Sequence, residues 1–297
     1  MTAASAPQQL PIISRILLAV DFGPSLSAAA ALARTFTKLY NARLWVAHVV
    51  EPAAPPDAAF IHSAGALEYA EQHMARVMES ESWRNVRCES VIRAGALWPV
   101  LARVVEENGI DLIVAGAHGH NWLRTMVLGS GAEVIVRNAT CPVLTVSSRS
   151  SGRAGDGILR ILVPLDCRLS AESALAYTAR LANAHNAQVV FVHVLHREAM
   201  PLDYPDEETI DDDRYVAAMA RLSEIIPHAE RFRREPEVII ESGVPADVIV
   251  AVAQRAGADL IAMPVRRAPS AARSHAPWKT AHRVISHATC PVLTLAE

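Results

Sequence analysis

Arg15-Ile-Leu-Leu-Ala-Val-Asp21 is echoed later in the chain by Arg160-Ile-Leu-Val-Pro-Leu-Asp166. Each is a short run rich in Ile, Leu and Val, the pattern of a strand buried on both faces of a sheet, and each stops at a carboxylate. The two aspartates lie 145 positions apart (166 minus 21), and the same spacing relates Asn41-Ala42 to Asn186-Ala187 and His48-Val49 to His193-Val194. Further on, Asp111-Leu-Ile113 matches Asp259-Leu-Ile261 at 148 (259 minus 111). Ala139-Thr-Cys-Pro-Val-Leu-Thr145 matches Ala288-Thr-Cys-Pro-Val-Leu-Thr294 at 149 (294 minus 145). A slowly drifting offset marks a duplicated domain with a few loop residues inserted, and the period is too long for a solenoid. We expect domains at 1–150 and 156–297, joined by Ser147–Gly157, whose Ser and Gly content suits a flexible link.

Within the first copy the pattern alternates strand and helix. Strands are expected at Ile12–Val20, Leu44–Val50, Asn85–Ile92, Asp111–Ala115 and Pro142–Val146. Helices are expected at Ser25–Tyr40, with Ser25 or Ser27 as N-cap, at Ala64–Trp83, at Leu97–Asn108 with Gly109 as its stop, and at Ser130–Arg137. The second copy follows the same order from Ile158 to Leu295. Regular alternation implies an α/β fold, a mostly parallel sheet with helices on both faces.

At 297 residues and 51% hydrophobic content the chain can fill two cores. Its net charge of −3 gives no electrostatic reason to expect nucleic acid or an acidic membrane as partner. Met1–Pro11 has neither a basic start nor an apolar core, and no run approaches the roughly 18 apolar residues of a membrane span, so a cytoplasmic location is expected. The four cysteines, Cys88, Cys141, Cys167 and Cys290, include no Cys-x-x-Cys. They read as reduced thiols in cores, not as a disulfide framework or a metal site.

In open α/β sheets, ligands sit outside the carboxyl ends of strands where strand order reverses. The first strand ends at Asp21. The fourth runs into Gly116-Ala117-His118-Gly119, followed nine residues later by Gly129-Ser130 and a helix. If these strands are neighbours, Asp21 and the glycine loop line one crevice. The carboxylate suits ribose hydroxyls, from which it accepts. Glycines let backbone N–H groups approach a phosphate chain, and each N–H to a charged oxygen contributes roughly 1.5–3 kcal/mol. Glycine after a strand is also ordinary turn chemistry, and Ser130-x-x-Glu133 also reads as a capping box. In the second copy Pro264 stands at the place of Gly116, Arg267 at that of Gly119 and Lys279 at that of Ser130. No glycine occurs from Ala258 to Glu297. Proline removes an N–H and fixes φ. Arg266, Arg267, Arg273 and Lys279 read as a solvated basic loop. Since this copy does without them, the first copy's glycines are expected to serve a ligand and not folding alone.

These residues make each copy resemble the universal stress protein family, in its tandem form. The resemblance rests on Asp21-Phe-Gly-Pro-Ser, His48-Val49-Val-Glu-Pro52, the motif Gly116-x2-Gly119-x9-Gly129-Ser130, and the closing Ala-Thr-Cys-Pro-Val-Leu-Thr of both halves. It implies two Rossmann-like domains of the adenine nucleotide alpha hydrolase-like kind, each a five-stranded parallel sheet with helices on both faces. It also implies ATP binding where the glycine motif is kept. By that resemblance Val20 and Asp21 lie at the adenosine end and the Val49 backbone contacts adenine. Gly116, His118, Gly119, Gly129, Ser130 and Gly131 would surround ribose and phosphates. A Mg ion accompanying the phosphates would rest on phosphate and water, because the motif offers no second acidic ligand. The two halves would pair through their last strands as an internal pseudo-dimer, with homodimerisation compatible as well.

Other residues carry weaker signals. His118 and His120 read as loop histidines, and His48 and His193 as hydrogen-bonded core groups. Trp122, Leu123, Met126, Val127 and Leu128 form an apolar stretch that would serve either as a lid or as a contact with the other half. The acidic tract Asp203–Asp213 reads as a solvated loop before a helix. With no nucleophile–base–orienter set, no catalytic residue is assigned and rapid hydrolysis is not expected. A slow ATPase or autokinase using the Ser130 hydroxyl, and a scaffold that needs no nucleotide, are the alternatives.

Overall fold

The computed structural model describes residues 13–51, 59–117, 128–150, 157–167, 171–196, 207–226, 231–266 and 275–297. In the first half the elements are β1 Arg15–Ala19, α1 Leu26–Tyr40, β2 Arg43–Val50, α2 Ala59–Glu79, β3 Cys88–Ala94, α3 Leu97–Asn108, β4 Leu112–Gly116, α4 Ser130–Asn138 and β5 Val143–Val146. In the second they are β6 Arg160–Pro164, α5 Glu172–His185, β7 Gln188–His196, α6 Glu207–Ile225, β8 Glu237–Gly243, α7 Pro245–Arg255, β9 Leu260–Val265, α8 His275–His287 and β10 Val292–Ala296. The expected alternation is present in both. Several boundaries differ from the sequence reading: α2 begins at Ala59 and not at Ala64, and β3 covers Cys88–Ala94 in place of Asn85–Ile92. The helix expected to reach Trp83 ends at Glu79 and gives way to a 3-10 turn at Glu81–Trp83. The acidic tract is no loop from Glu207 onward, because it forms the first turns of α6.

Ten strands form one sheet in the order β3-β2-β1-β4-β5-β10-β9-β6-β7-β8. Within each half the neighbours are parallel. The halves meet at β5 and β10, which pair antiparallel with Leu293 opposite Leu144. Duplicated threonines bolt this join reciprocally: Thr145 Oγ1 donates to Val292 O at 3.0 Å, and Thr294 Oγ1 to Val143 O at 3.2 Å. Two edge strands that would each expose a row of unpaired backbone groups are thereby used up on one another.

Several repeated residues turn out to serve folding. Asp111 accepts the N–H groups of Ser14 and Arg15 at 2.8 and 3.0 Å, and Asp259 those of Leu159 and Arg160 at 2.9 and 3.0 Å. Each carboxylate fixes the start of its half's first strand. Asn41 and Asn186 end α1 and α5 in the left-handed conformation, φ 49° and 52°. Arg93 pairs with Glu107 in the first half; at the matching places the second half pairs Glu241 with Arg255, the same bridge with its charges exchanged. β1 and β4 are buried runs, with Ile16, Leu17, Leu18, Leu112, Ile113 and Val114 all at 0% exposure, and they carry the site at their ends.

Candidate functional site

β1 and β4 are hydrogen-bonded neighbours, Ile16 opposite Leu112 through Ala19 opposite Ala115, with β2 on the other side of β1. Strand order therefore reverses between β1 and β4, and a crevice opens above their carboxyl ends. Alternate residues of β2 aim their backbone at β1, as Arg43 N–H to Ser14 O and Val20 N–H to Ala47 O show, at 2.9 and 2.8 Å. The paired register stops at Ala19 opposite Ala47. Continuing it would give the Val49 N–H to Val20 O. That carbonyl is instead taken by His48 Nδ1 at 2.7 Å. Val49 thus stands past the last paired residue on the β1 side of β2, and among the described residues no bond from its N–H to Val20 O forms. His48 is thus the hydrogen-bonded core group expected, with a positioning consequence the sequence did not reveal.

The chain then turns sharply. Asp21 is exposed and its Oδ1 accepts the Gly23 N–H at 2.9 Å, a turn closed by the side chain. Phe22 sits at φ 55°, and its ring lies 4.5 Å from that of His48 and 5.6 Å from that of His73. Ser25 precedes α1 but does not cap it. Its hydroxyl is fully buried and meets no partner among the described residues. A Cβ added to Gly116 would stand 2.8 Å from Ser25 Cβ. Gly116 is therefore required by the packing of Ser25, a demand of the fold, and the contrast with Pro264 does not by itself assign it to a ligand.

On the far wall α4 begins. Gly129 is the N-cap, with extended backbone, and its N–H donates to Ala117 O at 2.9 Å. Ser130 is the first helical residue, not the cap. Glu133 bridges to Arg137 at 2.7 Å, so the capping box does not form. The N–H groups of Ser130, Gly131 and Ala132 have no intrahelical acceptor at this position and gather the positive end of the helix dipole. A Cβ on Gly131 would lie 3.5 Å from Leu97, so this residue faces protein and leaves room for a small apolar side chain. His118 and Gly119 lie outside the described residues, as do Trp122, Leu123, Met126 and Val127.

Leu128 is described, and it resolves one alternative for itself. It is 3% exposed in a core cluster made largely of second-half residues. Its N–H donates to Ser286 Oγ of α8 at 3.1 Å, while that hydroxyl donates to His282 O at 2.7 Å. Arg149 Nη2 adds a bond to Ser286 O at 2.8 Å. The second half thus grips the loop just before α4. Nothing in the sequence pointed to Ser286, because its partner lies 158 residues away.

The second half keeps the histidine hydrogen bond at the end of its first strand. His193 Nδ1 pairs with Leu165 O at 2.7 Å, as His48 does with Val20 O. The other wall of that half is built differently. β9 runs on through Pro264 to Val265, paired with Leu295 and Ala296 of β10. α8 begins at His275, so Lys279 is the fifth residue of a helix and not its start. Trp278, at the place of Gly129, lies under the Arg137 guanidinium at 4.4 Å. Glu297 reaches the start of α5, accepting the Ala174 N–H at 2.6 Å and the Ser173 hydroxyl at 2.7 Å. Arg266 is exposed, and Arg267 and Arg273 lie outside the described residues. Among the described residues no group of three His, Cys, Asp or Glu could hold a metal ion, and no helix is long and apolar enough to cross a membrane.

The model of the universal stress protein family matches residues 13–147 and again 157–295. A universal stress protein A homologue from Coxiella burnetii is 34% identical over 136 residues, 44% of this chain and 94% of that protein. One from Synechocystis is 28% identical over 139 residues, and the match spans only 44% of that relative's length. The crystal structure of a universal stress protein from Archaeoglobus fulgidus superimposes with a TM-score of 0.64 over 95% of this chain and 98% of that one, at 19% identity.

Proposed function

Because this chain belongs to the universal stress protein family, twice over, we propose that its first half binds an adenine nucleotide, ATP, in the crevice between Asp21 and α4. Val20, Asp21 and the released Val49 backbone take the adenosine end. His118, Gly119, Gly129, Ser130 and Gly131 take ribose and phosphates, beside Gly116. The observation that carries this reading is the start of α4, whose first three N–H groups have no intrahelical acceptor, across a strand-order reversal from an exposed carboxylate. A negative triphosphate fits that donor set, and Mg carried with it would be held by phosphate oxygens and water. The role is that of a cytoplasmic stress or signalling protein whose second half docks the loop of the first.

Calorimetric titration of ATP into the full chain, Asp21→Ala and Gly119→Val tests this. One ATP per chain is expected, with each substitution weakening binding at least about tenfold. Unchanged affinity in Gly119→Val means that the site is wrongly assigned. No heat and no thermal shift in the wild type would favour a scaffold that needs no nucleotide.

A further inference from the structure

Among the described residues the sheet ends in two free edges, β3 and β8, each with a row of outward backbone N–H and C=O groups. The duplication lets the two edges be compared residue by residue. His48 lies beside Ile92 in one half and His193 beside Ile240 in the other, so β8 follows β3 at an offset of 148 (240 minus 92). The same offset sets the buried Ala218 and Leu222 of α6 on the buried Ala70 and Met74 of α2. At the first edge Glu68, Glu71, Ser90 and Ala96 are exposed. Their counterparts at the second are Val216, Met219, Val238 and Val244, which are 66%, 40%, 39% and 51% exposed. One edge carries carboxylates of the kind that keep edges from pairing, and the other presents apolar side chains in their place.

Three of these apolar side chains share one surface. Ile240 packs against the core that holds Leu222, and Ile239 against the core of the opposite face, so Val238 stands on the α6 side of β8. At about 100° per residue, Arg221 and Met219 lie on opposite flanks of the buried stripe of α6. Arg221 reaches Cys167 O after β6, so its flank faces inward along the sheet. Met219, and Val216 beyond it, therefore face the free edge. Val244 follows at the end of the strand.

Charge indicates what this edge fits. Arg231, Arg233 and Arg234 are exposed just before β8, at the end of the sheet where that strand begins. The acidic first turns of α6, Glu207 to Asp213, come after β7 and lie at the opposite end. An antiparallel copy of β8 sets the start of one strand beside the end of the other, which brings the arginines of each chain to the acidic turns of its neighbour. With the two Ile240 residues opposite one another, Glu237 falls opposite Gly243 and Glu241 opposite Ile239, so no like charges are opposed. Both glutamates are also bridged within the chain, to Arg160 and Arg255. The edge is three layers deep, α6, sheet and α7, at about 10 Å a layer. The seven residues of β8 run about 23 Å along it. That face of roughly 700 Å² is close to the 800 Å² per partner of a stable interface.

We propose that β8 and the outer flank of α6 form the interface with a second copy of this chain. The copies are related by a two-fold axis and joined through antiparallel β8 strands, as β5 and β10 are joined within the chain. The charged β3 edge ends growth at two chains. None of these residues belongs to the crevice, so the interface is independent of the nucleotide reading.

Sedimentation equilibrium of the full chain is expected to give twice the chain mass at tens of micromolar. A triple variant with Val216→Glu, Met219→Glu and Val238→Ser imports the residues the fold accepts at the first edge, and it should sediment as a single chain. Hydrogen exchange locates the contact. Gly95 turns its N–H inward to Val50 O, so by the same offset the amides of Val238, Ile240 and Ser242 point outward. They should exchange at least about tenfold more slowly in the wild type than in the triple variant. A wild type that sediments singly overturns the proposal, as does a folded triple variant that stays a dimer. Equal exchange of those amides in the two chains overturns it as well. If the triple variant does not fold, Val238→Lys alone decides: a single chain supports the assignment and a dimer contradicts it.

Discussion

The two crevices of this molecule share a first strand ending in aspartate, a second strand carrying His-Val, and the hydrogen bond that frees the valine backbone. They part company at one helix start. In the first half α4 begins at Ser130 behind an extended glycine, and its first three N–H groups have no intrahelical acceptor. In the second, α8 begins one turn earlier, Trp278 stands in the glycine's place against Arg137, and Glu297 supplies a carboxylate to the start of α5. The same hydrogen bonds at the strand ends are present in a half whose helix start is built differently. Those bonds are thus part of how the strands terminate, and in the proposed reading competence for an anion resides in the helix start. The second half is also the one that holds the first half's loop, through Ser286.

The largest effect should come from making the open helix start repel its ligand. Ser130→Asp places a carboxylate where phosphate would lie, and ATP affinity should fall about hundredfold, the loss of roughly 2–3 kcal/mol of charge-assisted bonding. A carboxylate in a first turn stabilises a helix by about 0.3–1 kcal/mol, so the melting temperature should hold or rise. Opposite signs for affinity and stability, read by calorimetry and thermal denaturation, separate a ligand role from a structural one.

Gly116 should behave the other way. Gly116→Ala forces a Cβ against Ser25 and should cost about 1–3 kcal/mol in urea unfolding, with Ser25→Gly restoring most of the loss in the double variant. If the double variant stays as unstable as the single one, the contact with Ser25 is not what demands glycine. Ser286→Ala should cost about 1–3 kcal/mol by leaving the Leu128 N–H buried and unpaired, and should weaken ATP binding, although Ser286 lies in the other half from the proposed site. Stability lost with affinity untouched would limit Ser286 to the seam.

The smallest effect is one of pH. Burial at the seam lowers the His185 pKa below its ordinary value near 6.5. The unfolded chain therefore takes up a proton before the folded one. The stability this neutral imidazole contributes is complete above about pH 6.5 and is lost as pH falls further. His185→Gln should flatten the decline between neutral and mildly acidic pH. An equal decline in the variant would place the sensitivity elsewhere.

Much of the architecture was legible because it was written twice. A strand such as Ile16–Leu18 and its echo at Ile161–Val163 announce a buried parallel sheet, and the repeated Ala-Thr-Cys-Pro-Val-Leu-Thr marks the strands that join the halves. The candidate site was legible as a set of residues but less so in their roles. The Ser-x-x-Glu spacing suggested a capping box, yet Glu133 is drawn to Arg137 because that partner lies one turn away on the exposed face. Gly116 looked like a residue for a phosphate, and what it faces is a serine 91 positions earlier (116 minus 25). Contacts such as Ser25 with Gly116 and Leu128 with Ser286 leave no periodicity, so only three-dimensional packing reveals them.

Counting the ATP bound per chain tests the central claim most directly. Equilibrium dialysis with radiolabelled ATP should give one molecule on the wild-type chain and one on Asp166→Ala. On Ser130→Asp, at concentrations that saturate the wild type, it should give almost none. Two molecules on the wild type, or a loss of binding in Asp166→Ala with Ser130→Asp unaffected, would place a working site in the second half.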